Sequence, residues 1–160
     1  MLRKQILSPV KQEPAGSSGV LDVSALARVL VSSEERDHPV DLAFDGRGGP
    51  GATRWIAAET GEQTLILAFD RPQAVRAIRL EVEEPEVART QELQVAVSTD
   101  GGQSYREIVR QEYNFSPPDT SFERERWATT AEDLTHLRVV IRPDKGGAAC
   151  RASVTTLAIE

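Results

Sequence analysis

The sequence has few cysteines, histidines and aromatic residues: one cysteine, two histidines and 5% aromatic residues in a chain of 160. The single cysteine, Cys150, excludes an intramolecular disulfide and a zinc site built on four thiolates. We therefore expect a reducing compartment and predict a cytoplasmic location. A catalytic Ser-His or Cys-His pair would have to use His38 or His136. Neither histidine stands in a context typical of such a pair, so we predict that the protein is not an enzyme.

Long apolar runs are also missing. The longest covers residues 65–69, whereas a helix needs roughly 20 apolar residues to cross a bilayer. Residues 1–19 begin with positive charge but break into proline, glycine, serine and charged residues, without the apolar stretch or cleavage site of a secretion signal. We predict no membrane partner. We also predict a flexible N-terminal arm over residues 1–19 and one domain over residues 20–160, since the arm has little to bury.

The charge balance argues against nucleic acid as a partner. Twenty-five acidic and nineteen basic residues give a net charge of −6 and a pI near 5.1. A chain of this charge is not attracted to phosphate backbones. The arginines that come closest to a basic stripe, such as Arg124 and Arg126, alternate with Glu123 and Glu125. We therefore predict a neutral, salt-bridged sheet face at these positions.

Apolar residues recur with period two in short runs separated by turn residues. This alternation is typical of half-buried antiparallel strands. No internal repeat of 20 to 50 residues is present, as a propeller or solenoid would require. The pattern predicts an all-β fold, an antiparallel jelly-roll β-sandwich of about eight strands. The predicted strands are 27–33, 65–69, 78–82, 93–97, 105–111, 122–127, 137–141 and 152–159.

Two short motifs are more consistent with turns than with ligand sites. Residues 46–51 fit the pattern G-x-G-x-x-G. A dinucleotide site would require this pattern to open a helix that is followed by buried parallel strands, whereas here amphipathic strands follow one another, so a nucleotide site is disfavoured. Residues 98–105 resemble a single Asp-box, and Asp100 with Gly101 predicts a tight hairpin turn there. Trp55 and Trp127 lie beside strand-like sequence, and we expect both in or against the core.

The order of the strands sorts the loops into two sets. Successive antiparallel strands send their connections to opposite ends of a sandwich. One end then collects residues 34–61, 85–89, 113–120 and 143–150, and the other collects 70–74, 99–103 and 129–136. The first set is richer in aromatic and charged groups that suit a polar ligand. The candidate ligand-binding residues are Arg36, His38, Arg89, Tyr113, Asn114, Asp144 and Lys145. For Tyr113 a role as a loop anchor is an equal alternative, and for Phe115 burial is favoured.

Residues 44–46 (Phe-Asp-Gly) followed by residues 53–55 (Thr-Arg-Trp) resemble the opening signature of discoidin, or coagulation factor 5/8 type C, domains. Later landmarks agree in order at 63–69, 75–80, 98–102 and 152–154. The resemblance covers about residues 20–160, and we interpret the chain as an intracellular, bacterial-type member. It implies a galactose-binding-like jelly roll that recognises a ligand through loops at one end.

The resemblance also implies a possible structural calcium site at Asp45 and Thr53. Two residues depart from the family pattern. Arg47 stands where an acidic or amide residue is common, and Thr156 stands where a glutamate completes the oxygen shell. Calcium prefers six to eight oxygens with several carboxylates. We therefore expect no cofactor and keep calcium as the alternative.

Three functions follow from these observations. The first is a non-catalytic recognition module that binds a carbohydrate or another small polar ligand. The second is a protein-interaction domain within a cytoplasmic assembly. The third, an enzyme, would need residues of the long loop to converge on His38 or Cys150 in a closed pocket.

Overall fold

The computed structural model describes residues 19–160. Within them the chain forms eight strands, one short α-helix and one 3-10 helix, and no helix there is long and apolar enough to span a membrane. The predicted arm over residues 1–19 lies outside the described residues except for Gly19. The elements are α1 Val23–Leu26, β1 Ala27–Val31, the 3-10 helix Val40–Phe44, β2 Trp55–Thr60, β3 Gln63–Glu83, β4 Arg89–Ser98, β5 Arg106–Phe115, β6 Phe122–Arg142, β7 Arg151–Val154 and β8 Thr156–Ile159.

The antiparallel, all-β architecture is confirmed. Six strands form one sheet in the order β1-β3-β6-β4-β5, with β8 added to β3, and β2 pairs with β7 in a second sheet. Every pairing is antiparallel. The alternation of apolar residues predicted an antiparallel β-sandwich, and the two antiparallel sheets agree with it.

Two strands are much longer than predicted. β3 and β6 have 21 residues each, and each joins two predicted strands through a segment predicted as a loop, 70–74 or 129–136. The pairing between them shifts register three times between Ala68 and Ala77. Such β-bulges bend a strand without ending it. The loop predictions at 70–74 and 129–136 were therefore wrong, because the bend is made within the ladder.

The bent pair contributes to both halves of the sandwich. The first part of β3 pairs with β1 and with residues 136–141 of β6, and its second part pairs with β8 and with residues 122–131 of β6. Side chains from both parts, such as Leu65 and Ile78, belong to one hydrophobic core. The β3–β6 pair therefore fixes how the two halves face each other.

Two further differences concern the second sheet. β2 lies inside the predicted long loop 34–61 and was not predicted as a strand. Only Trp55 and Ala57 of its six residues are buried, so the alternation is too short to recognise. The predicted strand 152–159 is divided at Thr155, whose amide donates to the Glu81 carbonyl at 2.8 Å. This division lets β7 pair with β2 while β8 pairs with β3.

The tryptophans lie as expected, and β4 and β5 are joined by a hairpin connection over residues 99–105, which is longer than the tight turn predicted at Asp100 and Gly101. Trp55 is fully buried and its indole N–H donates to the Ser33 carbonyl at 2.9 Å, while Trp127 is half-buried against the core. Between β4 and β5, Gly101 and Gly102 have positive φ angles of 81° and 86°, a backbone that favours glycine. The Asp100 carboxylate accepts the Ser104 amide at 3.0 Å and closes this turn.

The predicted salt-bridged sheet face is present. Arg124 Nε lies 2.9 Å from Glu81 Oε2, and Arg126 Nη2 lies 2.8 Å from Glu160 Oε1. The partners belong to neighbouring strands, β3 and the segment after β8, rather than to β6 itself. The charges of Arg124 and Arg126 are therefore each met by a carboxylate from outside β6.

Replacing a core leucine tests whether the shared core holds the sandwich together. Leu137 of β6 is 0% exposed, whereas Leu30 of β1 is 44% exposed. We expect Leu137→Ala to lower the free energy of unfolding by about 3 kcal/mol, because it leaves a cavity. Leu30→Ala should lower it by less than about 0.5 kcal/mol. Urea unfolding measures both, and equal losses would contradict the burial assigned here.

Candidate functional site

A cleft of about 310 Å³ opens at one end of the sandwich. Its walls are the turn that follows β3, the segment that precedes β7, and the first residues of β2. The end is the one that the sequence predicted to carry the ligand site. The lining residues are Arg54, Ile56, Glu83, Glu84, Pro85, Glu86, Val87, Ala149, Cys150, Arg151 and Ser153.

The turn after β3 is organised by one carboxylate. Glu84 Oε2 accepts the amides of Glu86 and Val87, each at 3.0 Å, and Glu84 Oε1 accepts Arg89 Nε at 2.7 Å. Burial raises the pKa of Glu84, but the hydrogen bonds from Arg89 and the two amides outweigh burial, so the net pKa is lowered. The ionised carboxylate thus holds this wall of the cleft in shape.

Arg89 was predicted to bind ligand, and the structure contradicts this. Its side chain is 0% exposed. Its guanidinium donates to the Pro143 carbonyl at 2.7 Å and to Gln91 Oε1 at 3.0 Å, and it lies 5.1 Å from the centre of the Phe115 ring. Arg89 opens β4 and faces inward there, so it ties the turn 84–87 to residue 143 instead of reaching solvent.

Tyr113 was also proposed as a ligand contact, with anchoring as the alternative, and the structure places it as an anchor. It is 4% exposed and packs edge-to-face on Phe115, with ring centres 6.2 Å apart. Burial raises the pKa of its hydroxyl. The cause is that β5 extends to Phe115, so alternation sends both aromatic rings inward. The predicted loop 113–120 therefore begins only after Phe115.

Asn114, Asp144 and Lys145 are accessible but lie outside the cleft. Asn114 Oδ1 accepts the Thr90 hydroxyl at 2.8 Å. The Asp144 carboxylate accepts the amides of Ala148 at 3.0 Å and Thr90 at 3.1 Å, which lower its pKa. A salt bridge from Lys145 to Glu112 of β5 raises the pKa of the lysine. These three residues shape the neighbouring loop, and a ligand role for them stays a prediction.

His38 and Arg36 do not line the cleft. His38 Nδ1 is 2.6 Å from Glu35 Oε1, and Glu35 Oε2 is 2.7 Å from Arg151 Nη1. The hydrogen bond with His38, followed by the charges of His38 and Arg151, lowers the pKa of Glu35. His38 is thus connected through Glu35 to a cleft residue, while Arg36 is exposed.

The sequence did not single out most residues that line the cleft. Arg54 Nη1 lies 3.5 Å from Glu83 Oε1, and Arg151 lines the same cleft. Their one signal is position, because Arg54 lies within the predicted loop 34–61 and Arg151 directly follows the predicted loop 143–150. Val87 is an apolar side chain left 46% exposed at the rim. Burial raises the pKa of the Cys150 thiol, which disfavours the reactive thiolate.

Guanidinium groups, carboxylates and apolar side chains therefore share one cleft. Arginine and carboxylate groups can donate to and accept from hydroxyls, and apolar side chains can contact the carbon face of a ring. This mixture of a few polar groups with apolar walls is typical of small-ligand sites.

The possible calcium ligands lie elsewhere. Asp45 and Thr53 do not line the cleft, and the Thr53 hydroxyl donates to Asp45 Oδ2 at 2.5 Å. In the described part of the chain, no group of three or more His, Cys, Asp or Glu residues is placed to hold a metal ion.

Comparisons with known proteins identify one family. The family model of the F5/8 type C domain matches residues 29–153. No curated protein matches the chain significantly.

Several solved structures with the same fold are described as carbohydrate-binding modules. A pectin-binding module has a TM-score of 0.61 and 20% identity, covering 85% of this chain and 91% of that chain. The family 32 module of C. perfringens NanJ, solved with galactose, has a TM-score of 0.58 and 14% identity, covering 83% and 92%. The CBM32 of AlyQ, solved with 4,5-unsaturated mannuronic acid, has a TM-score of 0.60 and 18% identity, covering 85% and 95%. At these identities the likeness shows the fold.

The buried pair of Arg89 and Glu84 should be important for stability. Arg89→Met removes the cation that faces a mostly buried carboxylate, and we expect a loss of about 3 kcal/mol in the free energy of unfolding. Adding Glu84→Gln should recover part of this loss, because the unpaired charge is then gone. Chemical denaturation of both variants measures the effect, and Arg106→Met on the exposed side of β5 is the control. A loss equal to that of the control would contradict the pairing.

The lowered pKa of Glu84 also predicts a pH dependence. Because the folded-state pKa lies below the ordinary value of 4.5, the carboxylate stabilises the fold above that pH, and this contribution is lost as pH falls through the folded-state pKa. As pH falls from 6 to below the folded-state pKa of Glu84, the free energy of unfolding of Glu84→Gln should therefore decrease less than that of the parent chain. Unfolding free energies measured over this range test the sign, and parallel curves would show it to be wrong.

Proposed function

Because the chain belongs to the F5/8 type C domain family, we propose that it is a non-catalytic carbohydrate-binding module. The sugar binds in the cleft between the turn 84–87 and the segment 149–151. The observation that carries this proposal is the convergence of two arginines, the partly buried carboxylate of Glu83, the exposed carboxylate of Glu86 and apolar side chains on one cleft. Structural relatives that bind galactose or other saccharides support the ligand class.

The size of the cleft supports a short ligand. Ligand clefts commonly measure about 300–1,000 Å³, and this one is about 310 Å³. We propose that it takes one or two sugar residues, such as the end of a glycan. Arg54 and Arg151 would donate to ring hydroxyls, Glu83 and Glu86 would accept from them, and Val87 would contact the apolar face of the ring.

The charge of the cleft favours neutral or amino sugars over uronic acids. Arg54 is paired with Glu83, Arg151 with Glu35, and Arg89 with Glu84. Within the described residues, the side chain of Glu86 has no basic partner. A negative charge is therefore left at the rim of the cleft, and it opposes a ligand carboxylate.

The protein-interaction role and the cytoplasmic location stay predictions. Both were expected from the sequence, and the fold and the cleft are compatible with either a soluble glycan or a protein surface as ligand. A glycan screen separates the carbohydrate role from the alternative.

A screen of immobilised neutral, amino and uronic-acid glycans tests the proposal. We expect binding to neutral or amino sugars and little binding to uronic acids. Arg151→Gln should weaken binding about tenfold, because it removes a charged hydrogen-bond donor. Glu86→Gln should reduce the difference in affinity between neutral and acidic sugars, because it removes the negative charge that opposes a ligand carboxylate. Calorimetry with the best glycan measures both effects.

Two variants outside the cleft serve as controls for this screen. Arg106→Gln and Glu132→Gln change the same residue types at exposed strand positions, and we expect both to bind like the parent chain. Folded protein that binds no glycan in the screen would refute the carbohydrate role. Equal effects of cleft and control variants would place the sugar elsewhere.

A further inference from the structure

The loop between the 3-10 helix and β2, residues 45–53, is held by carboxylates of β3. The Gly49 amide donates to Glu81 Oε1 at 2.8 Å, and the Gly51 amide donates to Glu83 Oε1 at 2.9 Å. Alternation along β3 brings the two glutamates to the same side of the strand, two residues apart. Their spacing matches the two loop amides, which are also two residues apart.

The loop closes on itself at its start. The Arg47 amide donates to Asp45 Oδ1 at 3.0 Å, and the Thr53 hydroxyl donates to Asp45 Oδ2 at 2.5 Å. The Thr156 hydroxyl donates to the Arg47 carbonyl at 2.9 Å. Both oxygens of Asp45 and this carbonyl thus already have hydrogen-bond donors.

Glu81 lies directly against the loop backbone. It is buried, and its second oxygen accepts Arg124 Nε at 2.9 Å. A Cβ atom at Gly48 would lie 2.8 Å from Glu81 Oε1 and 3.2 Å from Thr156 Oγ1. The closeness of this approach means that the carboxylate fills the space beside the loop.

The calcium ligands implied by the family resemblance do not fit this arrangement. Calcium takes six to eight oxygens, usually with several carboxylates. Here Asp45 is the single carboxylate of the implied set, and the Thr156 hydroxyl, which stands in place of the family's glutamate, donates to the Arg47 carbonyl. The amides of Arg47, Gly49 and Gly51 donate to carboxylate oxygens of Asp45, Glu81 and Glu83. These oxygens, which a metal ion would require, thus already have hydrogen-bond donors.

We propose that Asp45, Glu81 and Glu83, which we call the carboxylate clasp, close loop 45–53 in place of a calcium ion. The clasp also reaches the cleft, because Glu83 accepts the Gly51 amide and lies 3.5 Å from Arg54. The loop and this wall of the cleft therefore keep their shape without metal. This inference concerns stability and does not depend on the ligand proposed above.

Thermal unfolding of the whole chain tests the metal half of the proposal. Tm is measured in EDTA and in about 10 mM CaCl₂, a concentration above the Kd of weak calcium modules, roughly 10⁻⁴–10⁻³ M. We expect equal Tm values and no binding heat in calorimetry with CaCl₂. A rise of several degrees in calcium would overturn the proposal, because a ligand that binds only the folded state raises Tm.

Variants of the clasp test the other half. We expect Glu81→Ala and Gly48→Ala each to lower Tm, and the loss for each variant should be the same in EDTA as in calcium. Glu81→Ala removes the carboxylate that accepts the Gly49 amide, and Gly48→Ala places a methyl group against that carboxylate. Glu132→Gln, an exposed carboxylate on β6, should leave Tm unchanged. If either clasp variant fails to fold, Glu83→Ala at the edge of the clasp is the milder test. Clasp variants as stable as Glu132→Gln would refute the role of the carboxylates.

Discussion

The pairing of β3 with β6 is the constraint on which the molecule depends. Both strands pass through a bulged bend, so one continuous ladder supplies side chains to both halves of the core. Burial of these side chains favours folding by roughly 25 cal/mol for each Å² of apolar surface removed from water. Because β3 is central to both halves, its end at Glu83 fixes where the cleft opens. The position of the cleft is therefore a consequence of core packing.

Alternation made much of this fold predictable, and its limits explain the errors. Residues 93–97 and 137–141 alternate over a full strand and were placed correctly. β2 was missed because an exposed tail follows its two buried residues. The segments 70–74 and 129–136 contain turn residues and charges, yet they continue the ladder. Bulges are stabilised by the neighbouring strand, and a single sequence does not show its neighbour.

The candidate site was harder to predict than the fold, and the reason is side-chain direction. The cleft opens beside loops that the sequence analysis had grouped at one end of the sandwich, but which residues face it depends on where each strand begins and ends. β4 begins at Arg89 and β5 ends at Phe115, so Arg89 and Tyr113 face inward. A shift of one residue would have turned both outward. The residue types of Arg89 and Tyr113 are suited to ligand binding, but their positions in the alternation of β4 and β5 turn both side chains into the core.

The acidic residues of this chain have a structural use that its net charge of −6 does not reveal. Four loops or turns are closed by a carboxylate that accepts backbone amides, through Asp45, Glu84, Asp100 and Asp144. Each satisfies amides that lack a strand partner, and charged acceptors form stronger hydrogen bonds than neutral ones. Loops fixed in this way lose less conformational entropy when a ligand binds. The turn 84–87, one wall of the cleft, is thus ordered before a ligand arrives, which suits the recognition role proposed above.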